Sequence, residues 1–247
     1  MKPRLVWLGL AAFMLALIIV LPSRWVAGLL PAQLHCANWS GSVWRGQCAM
    51  LTLQQPGAAP LQVELLRWKL QPAALLRLSL QAAVEMQTPM GAGSGQLELR
   101  RGGRLALLDV TATAVFDRRL YATLPPGWTG RLDAQHLTVR VEGTRLLALS
   151  GELTLLDFND GMGSQFGSYR LVFPPAAAPP FAGALQDTGG PLAVTASLTI
   201  NADRRWLLNG TIAARPAAGL ALRKRLDILG APDANGRYPL SIEGSFK

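Results

Sequence analysis

Charge is scarce in this sequence, and so are cysteine and histidine. Only 16% of its 247 residues are Asp, Glu, Lys or Arg, against about a quarter in an average globular domain. Half are apolar, which excludes a chain disordered throughout, because disorder needs low hydrophobicity and high charge. With only Cys36 and Cys48, neither a disulfide-rich scaffold nor a four-cysteine zinc site can be built. Long apolar runs are lacking except for one, so the chain is not a multi-span membrane protein.

The shortage extends to chemistry. His35 and His136 are the only histidines, and neither has a second ligand at helical spacing for a zinc-hydrolase motif. No Gly-x-Ser-x-Gly elbow and no phosphate loop is present. Asp157-Phe158-Asn159-Asp160-Gly161 resembles a calcium loop, but its glycine is misplaced and no glutamate follows at the twelfth position. A hydrogen-bonded turn is the better reading of that segment. Asp133 and His136 are near enough in sequence to approach each other, yet no nucleophile can be named for them. The chain is therefore read as a non-enzyme without catalytic, metal-binding or cofactor-binding residues.

What the chain does have begins at its start. Leu5 to Leu21 reads LVWLGLAAFMLALIIVL, with Lys2 and Arg4 before it and Arg24-Trp25 after it. As a helix the run is about 26 Å long, enough for a hydrocarbon core once its flanks snorkel. A cleavable signal peptide is the alternative, but no small-x-small site follows directly and the run is long for one. The expectation is a retained anchor over residues 5–23 with a cytoplasmic tail at 1–4. The positive-inside rule then places the bulk of the chain across the membrane, outside the cytoplasm.

With Lys2, Arg4 and Arg24 set aside as flanks of the anchor, the rest is basic, with 21 cationic against 15 anionic residues, but the cations are scattered singly or in short sets such as Arg223-Lys224-Arg225. That pattern gives no nucleic-acid footprint, although it favours an anionic membrane surface or an acidic partner. Cys36 and Cys48 are 12 positions apart around a turn signal at 38–42. In an oxidising compartment they form a candidate disulfide; two unpaired structural cysteines are the alternative.

Past residue 48 the dominant pattern is strict alternation, the signature of half-buried antiparallel strands. The clearest run sets Val194, Ala196, Leu198 and Ile200 against Thr195, Ser197 and Thr199. Others lie near 78–86, 97–100, 105–116, 137–142, 147–155, 206–213 and 238–246. In 61–71 the apolar phase changes at Leu65-Leu66, which predicts a β-bulge there. Short helices are expected near 72–77, opened by Pro72, and over 216–229, opened by Pro216 and stopped by Gly230. The late helix has Leu222, Leu226 and Leu229 on one face. Loops are expected at 88–95, at 124–127 and over the Pro/Ala/Gly-rich stretch 174–191, which either separates two halves of the β domain (49–173 and 192–247) or spans a long crossover. The fold class is mainly β: an N-terminal transmembrane helix, a juxtamembrane segment at 24–48, then a long, curled antiparallel sheet, as a half-pipe or an open sandwich.

An ordered set of segments resembles the type II secretion system protein N family. The similar elements are the short tail and single anchor, Trp39 to Gly46 (WSGSVWRG), Trp68 to Leu76 (WKLQPAALL) and Leu185 to Val194 (LQDTGGPLAV). A helix running into Leu229-Gly230, then Gly236-Arg237-Tyr238-Pro239-Leu240 and Glu243-Gly244-Ser245, completes the set. The Gly-x-Val-Trp-x-Gly element after an anchor also resembles the wider group of AsmA-like proteins. The resemblance implies an accessory inner-membrane subunit of the machine that exports folded proteins across the outer membrane. It implies as partners the inner-membrane platform subunits, the secretin and membrane lipid. The AsmA-like resemblance, with a Leu-rich inner face, gives the alternative of a lipid-binding or lipid-transfer module. No catalytic motif is implied by either.

Overall fold

A computed structural model of the chain describes residues 20–25, 33–54, 61–118, 124–176 and 178–246. Residues 1–19, which hold the expected tail and most of the expected anchor, lie outside the described residues, as do 26–32 of the juxtamembrane segment. Among the described residues no helix is long and apolar enough to cross a membrane.

The protein is mainly β. Among the described residues thirteen antiparallel strands follow one another in sequence order, each built from the alternation that puts one face on the core and the other in water. The chain divides into two compact units, Met1–Leu97 and Glu98–Lys247.

The first unit holds β1 (Leu34–Gly41), β2 (Arg45–Leu53), β3 (Leu61–Leu70), a one-turn helix α1 (Pro72–Leu75) and β4 (Ser79–Thr88). Gly41, at φ +85°, turns the chain from β1 into β2, and Ser42 closes the turn by accepting the Arg45 N–H at 3.2 Å. Cys36 and Cys48 are joined by a disulfide across this hairpin, with their Cα atoms 6.0 Å apart. The bulge expected at Leu65-Leu66 is not present in the pairing, because β3 keeps an unbroken register with both β2 and β4. Instead the left-handed residue lies on the neighbouring strand, at Met50 (φ 59°), facing the gap between the Ala49–Leu65 and Leu51–Val63 pairs.

β5 (Gly91–Arg100) carries the chain over the boundary between the units. A loop was expected over 88–95, but only a turn at 89–90 remains. Gly91, Ala92, Gly93, Ser94 and Gly95 have no side chains large enough to reveal alternation, so only the second half of the strand, expected near 97–100, shows in a hydrophobicity count.

The second unit contains β6 (Arg104–Phe116), β7 (Thr129–Glu142), β8 (Arg145–Asn159), β9 (Gln165–Phe173), β10 (Phe181–Gly189), β11 (Leu192–Ile200) and β12 (Arg205–Ala214). A short helix α2 (Leu220–Leu226) and a 3-10 turn (Asp227–Leu229) then lead to β13 (Arg237–Ser245). The stretch 174–191 therefore holds a full strand where a loop was expected. In β10 the inward positions are Phe181, Gly183 and Leu185, and Gly183 is bare because the Phe173 ring of β9 lies over it.

Bulges in this unit fall along two lines. Asp109 (φ 51°) and His136 (φ 49°), with Gly151 (φ 126°) of β8 opposite the His136 break, interrupt the register of β6 and β7. Asp157 (φ 52°), Gly167 (φ 104°) and Gly189 (φ 155°) do the same in β8, β9 and β10. A bulge bends its strand and raises the local twist. In both lines a hydroxyl on the next strand accepts the amide that the bulge releases: Asp109 N–H donates to Thr138 Oγ1 at 3.4 Å, and Asp157 N–H to Ser168 Oγ at 3.1 Å.

Candidate functional site

The bent strands β8 to β13 face an apolar groove of about 490 Å³. Its walls are Leu153 and Leu155 of β8, Tyr169 and Leu171 of β9, Leu185 of β10, Val194 of β11, Ile212 of β12, and Leu240 and Ile242 of β13. Each comes from one face of its strand, so the same alternation that makes the sheet makes the groove. Beside these residues stands an aromatic cluster. Trp128 lies 4.8 Å from Phe166 and 5.3 Å from Phe158 between ring centroids, and the two phenylalanines are 5.2 Å apart.

Helix α2 packs on this groove-lining core. Leu222 and Leu226 are buried with Phe166, Leu192, Val194 and Ala218. Leu229 points away, because the helix stops at Leu226 and the following 3-10 turn rotates it off the apolar face. The expected helix over 216–229 is thus real but shorter, and its cations are not merely solvated. Arg223 donates to the carbonyls of Ala218 (3.0 Å), Pro216 (3.0 Å) and Arg215 (3.2 Å), holding the segment that enters the helix.

Arg225 donates to Asp160, whose side chain is fully buried, at 3.0 Å. Burial by itself pushes the Asp160 carboxyl up. The Met162 and Ser164 N–H groups, each donating at 2.9 Å, together with Arg225, outweigh it and bring the group down to about 2. The segment that resembled a calcium loop is this turn: Asp160 holds 162 and 164, while Asn159 Oδ1 accepts the Gly161 N–H at 3.0 Å. Nearby, Tyr169 donates to the Phe166 carbonyl at 2.6 Å. Burial, then the negative charge of Asp187, pushes its hydroxyl up to about 12, with Arg215 opposing. Asp187 also pairs with Arg215 and accepts the Val194 N–H at 2.8 Å, fastening β10 to β11.

β13 forms the margin of the groove, and β12 is its one partner strand among the described residues. The Arg237 N–H donates to Asp233 Oδ1 at 2.9 Å, and its carbonyl accepts from the Asp233 N–H at 2.8 Å, so both groups face away from β12. The antiparallel alternation then turns the main-chain groups of Pro239, Ser241, Glu243 and Ser245 outward. Pro239 therefore lacks an N–H only where no ladder bond is needed.

His136 does not meet Asp133. Its Nδ1 is 2.6 Å from Asp109 Oδ1, both side chains are exposed, and Asp133 pairs instead with Arg131 at 3.4 Å. His35 is exposed on β1. Among the described residues no group of three or more His, Cys, Asp or Glu is placed to hold a metal ion. Sequence reasoning did not find Phe166, Tyr169 or Trp128; it placed Asp160 in a hydrogen-bonded turn, which the structure shows, but not its pairing with Arg225. The alternation of Tyr169, Leu171 and Phe173 was a signal for β9, masked upstream by the phase change at Gly167.

Residues 32–241, most of the chain and including every groove-lining strand from β8 to β12, match the family model described as type II secretion system (T2SS), protein N. No curated protein and no solved structure matches the chain.

Proposed function

The chain belongs to the type II secretion system protein N family, and from that premise we propose that it docks neighbouring secretion subunits through the free edge of its β domain. Its role in type II secretion is accessory. Residues 1–4 serve as a cytoplasmic tail and residues 5–23 as the inner-membrane anchor, so that the β domain stands in the periplasm. There it holds a platform subunit or the secretin and supports export of folded proteins across the outer membrane.

The observation that supports this reading is the outer edge of β13. From Ser241 to Ser245 it offers outward amides and carbonyls that an extended segment of a partner pairs with by strand addition. Leu240 and Ile242, alternating with those groups, line the groove, so an added strand would lay its own apolar side chains beside them. Pro239 and the charge of Glu243 restrict indiscriminate pairing at the same edge.

The test uses the full chain in cells, with a photoreactive amino acid at Glu243 and identification of what it captures. Capture of a platform subunit or the secretin is expected, and its loss in Ser241→Pro, which removes an outward amide and no ladder bond to β12. If no secretion subunit is captured, or if Ser241→Pro captures as before, docking through this edge is refuted.

A second reading rests on the groove itself. A volume of about 490 Å³ walled by leucine, valine, isoleucine and aromatic side chains lies in the range of small-molecule sites. It suits the acyl chains of a periplasmic lipid-binding or lipid-transfer module. Stoichiometric phospholipid in the mass spectrum of the purified protein supports this reading; a spectrum of protein alone counts against it.

A further inference from the structure

Three stretches of the first unit meet at one end of its strands. The Val43 N–H donates to the Leu21 carbonyl at 2.9 Å, and Pro22 and Ser42 form a bridge, so residues 20–25 lie against the β1–β2 turn. The Leu70 N–H donates to the Trp44 carbonyl at 2.8 Å, which brings the end of β3 to the same place. Chain 72–78 then loops over that end, closed by Gln71 N–H to the Gln81 carbonyl (2.9 Å) and by the Ser79 hydroxyl to the Ala74 carbonyl (3.1 Å).

This end is apolar where an ordinary loop would be polar. Leu76 is 89% exposed, Leu78 67% and Leu75 45%, and Trp25 and Val20 are 65% and 70% exposed. Leu78 takes a left-handed φ of 53°, a conformation that costs a leucine energy and leaves its side chain in solvent. The charges are all of one sign. Residues 20–25, 41–46 and 68–81 contain Arg24, Arg45, Lys69 and Arg77 and no acidic residue. Exposed leucine and tryptophan bordered by lone cations are the composition of a surface that sits in a lipid interface.

We propose that this end of the first unit docks on the surface of a bilayer carrying anionic headgroups, with Leu75, Leu76 and Leu78 entering the interface and Arg45, Lys69 and Arg77 lying over the phosphates. What commits the surface to lipid is where the apolar run 5–21 ends. Its last residue, Leu21, is hydrogen-bonded to this end of the strands, so whatever medium holds the run lies directly beside the exposed leucines. The inference rests on the reading of residues 5–23 as an anchor and adds to it a second, peripheral contact made by the folded unit.

The test attaches an environment-sensitive fluorophore at Leu76→Cys in the full chain, reconstituted in phosphatidylcholine vesicles with and without phosphatidylglycerol. Both native cysteines are in the disulfide, so the new thiol is the single one labelled. Gln87→Cys is the reference; it is exposed, and at the usual rise per residue it lies about 26 Å along β4 from Ser79. Co-flotation with the vesicles reports the anchor independently of either label. In vesicles with phosphatidylglycerol, quenching by nitroxide-headgroup lipid is expected to be about threefold stronger at 76 than at 87. It should fall by about half when phosphatidylglycerol is omitted or when Arg45, Lys69 and Arg77 are all changed to Gln. Equal quenching at the two positions in a chain that floats with the vesicles overturns the proposal while leaving the anchor intact. A blue-shifted label at 76 without quenching also overturns it, because protein rather than lipid then covers the leucines. A chain that does not float overturns the anchor and the proposal together.

Discussion

Replacing Leu222 by alanine should detach α2 from the groove without unfolding the strands beneath it. A seven-residue helix is far below the length at which a helix is stable in water by itself. It persists because Leu222 and Leu226 are buried against Phe166, Leu192 and Val194, because Arg223 holds the preceding turn, and because Arg225 reaches Asp160. Removing a buried leucine side chain costs about 2–5 kcal/mol in transfer and cavity energy. The strands have their own ladders, so that loss falls on the helix as a local opening rather than on the whole unit. Even the lower figure corresponds to a rise of about 30-fold in amide exchange over α2. Hydrogen-exchange mass spectrometry on the full chain checks this by comparing peptides over 219–229 with peptides over β11 at 192–200. The opened groove should also bind an apolar fluorescent dye more strongly. If protection over α2 is unchanged, its leucines do not hold it; if β11 loses protection equally, helix and strands form one cooperative unit. Either result refutes the reasoning.

Three further outcomes follow from particular contacts. Reducing the Cys36–Cys48 disulfide releases a loop of separation 12, worth about 3 kcal/mol in loop-closure entropy; exchange over 34–53 should rise while that over the second unit stays as it was. Gly183→Ala places a methyl 2.6 Å from Cε1 of the buried Phe173 ring and should cost about 1–3 kcal/mol by overpacking, whereas Gly219→Ala meets nothing within 4 Å and should show far less in the same denaturant titration. The Asp160 carboxyl titrates at about 2 in the folded protein against an ordinary 3.8. Its contribution is therefore complete above pH 4 or so and is lost as pH falls through the folded value; protection over 160–164 and α2, taken relative to the intrinsic exchange rate at each pH, should fall in parallel, and this fall should be absent in Asp160→Asn.

The alternation of apolar and polar residues marks most strands by itself, because a period of two is a local property of the chain. Val194 to Ile200 and Leu147 to Leu155 needed nothing else to be read as half-buried strands. The same logic fails where the inward residue is small. The first half of β5 and all of β10 look like loops because Gly91, Gly93, Gly95 and Gly183 fill inward positions without hydrophobic weight. Gly183 is an inward position only because Phe173 of the neighbouring strand occupies its space. β9 was missed because its phase changes at Gly167, on a line of bulges that involves three strands at once.

The site divides in the same way. Leu171 and Leu185 of the groove wall lie on β9 and β10, whose period is hidden, whereas Leu153, Leu155 and Leu240 were legible as faces of strands with a clear period. That Trp128, Phe158 and Phe166 converge was not, because they are brought together from three separate segments of chain. Nor did the sequence distinguish Asp160, buried and bound by Arg225 across 65 positions, from Asp157 three residues earlier, which is exposed. By itself the sequence determined the strands with a clear alternation, the sparse chemistry and the family, because these depend on local periods and ordered motifs. Only the tertiary structure decided which edge is free, which end exposes its leucines and which charges are buried, because those depend on neighbours far apart along the chain.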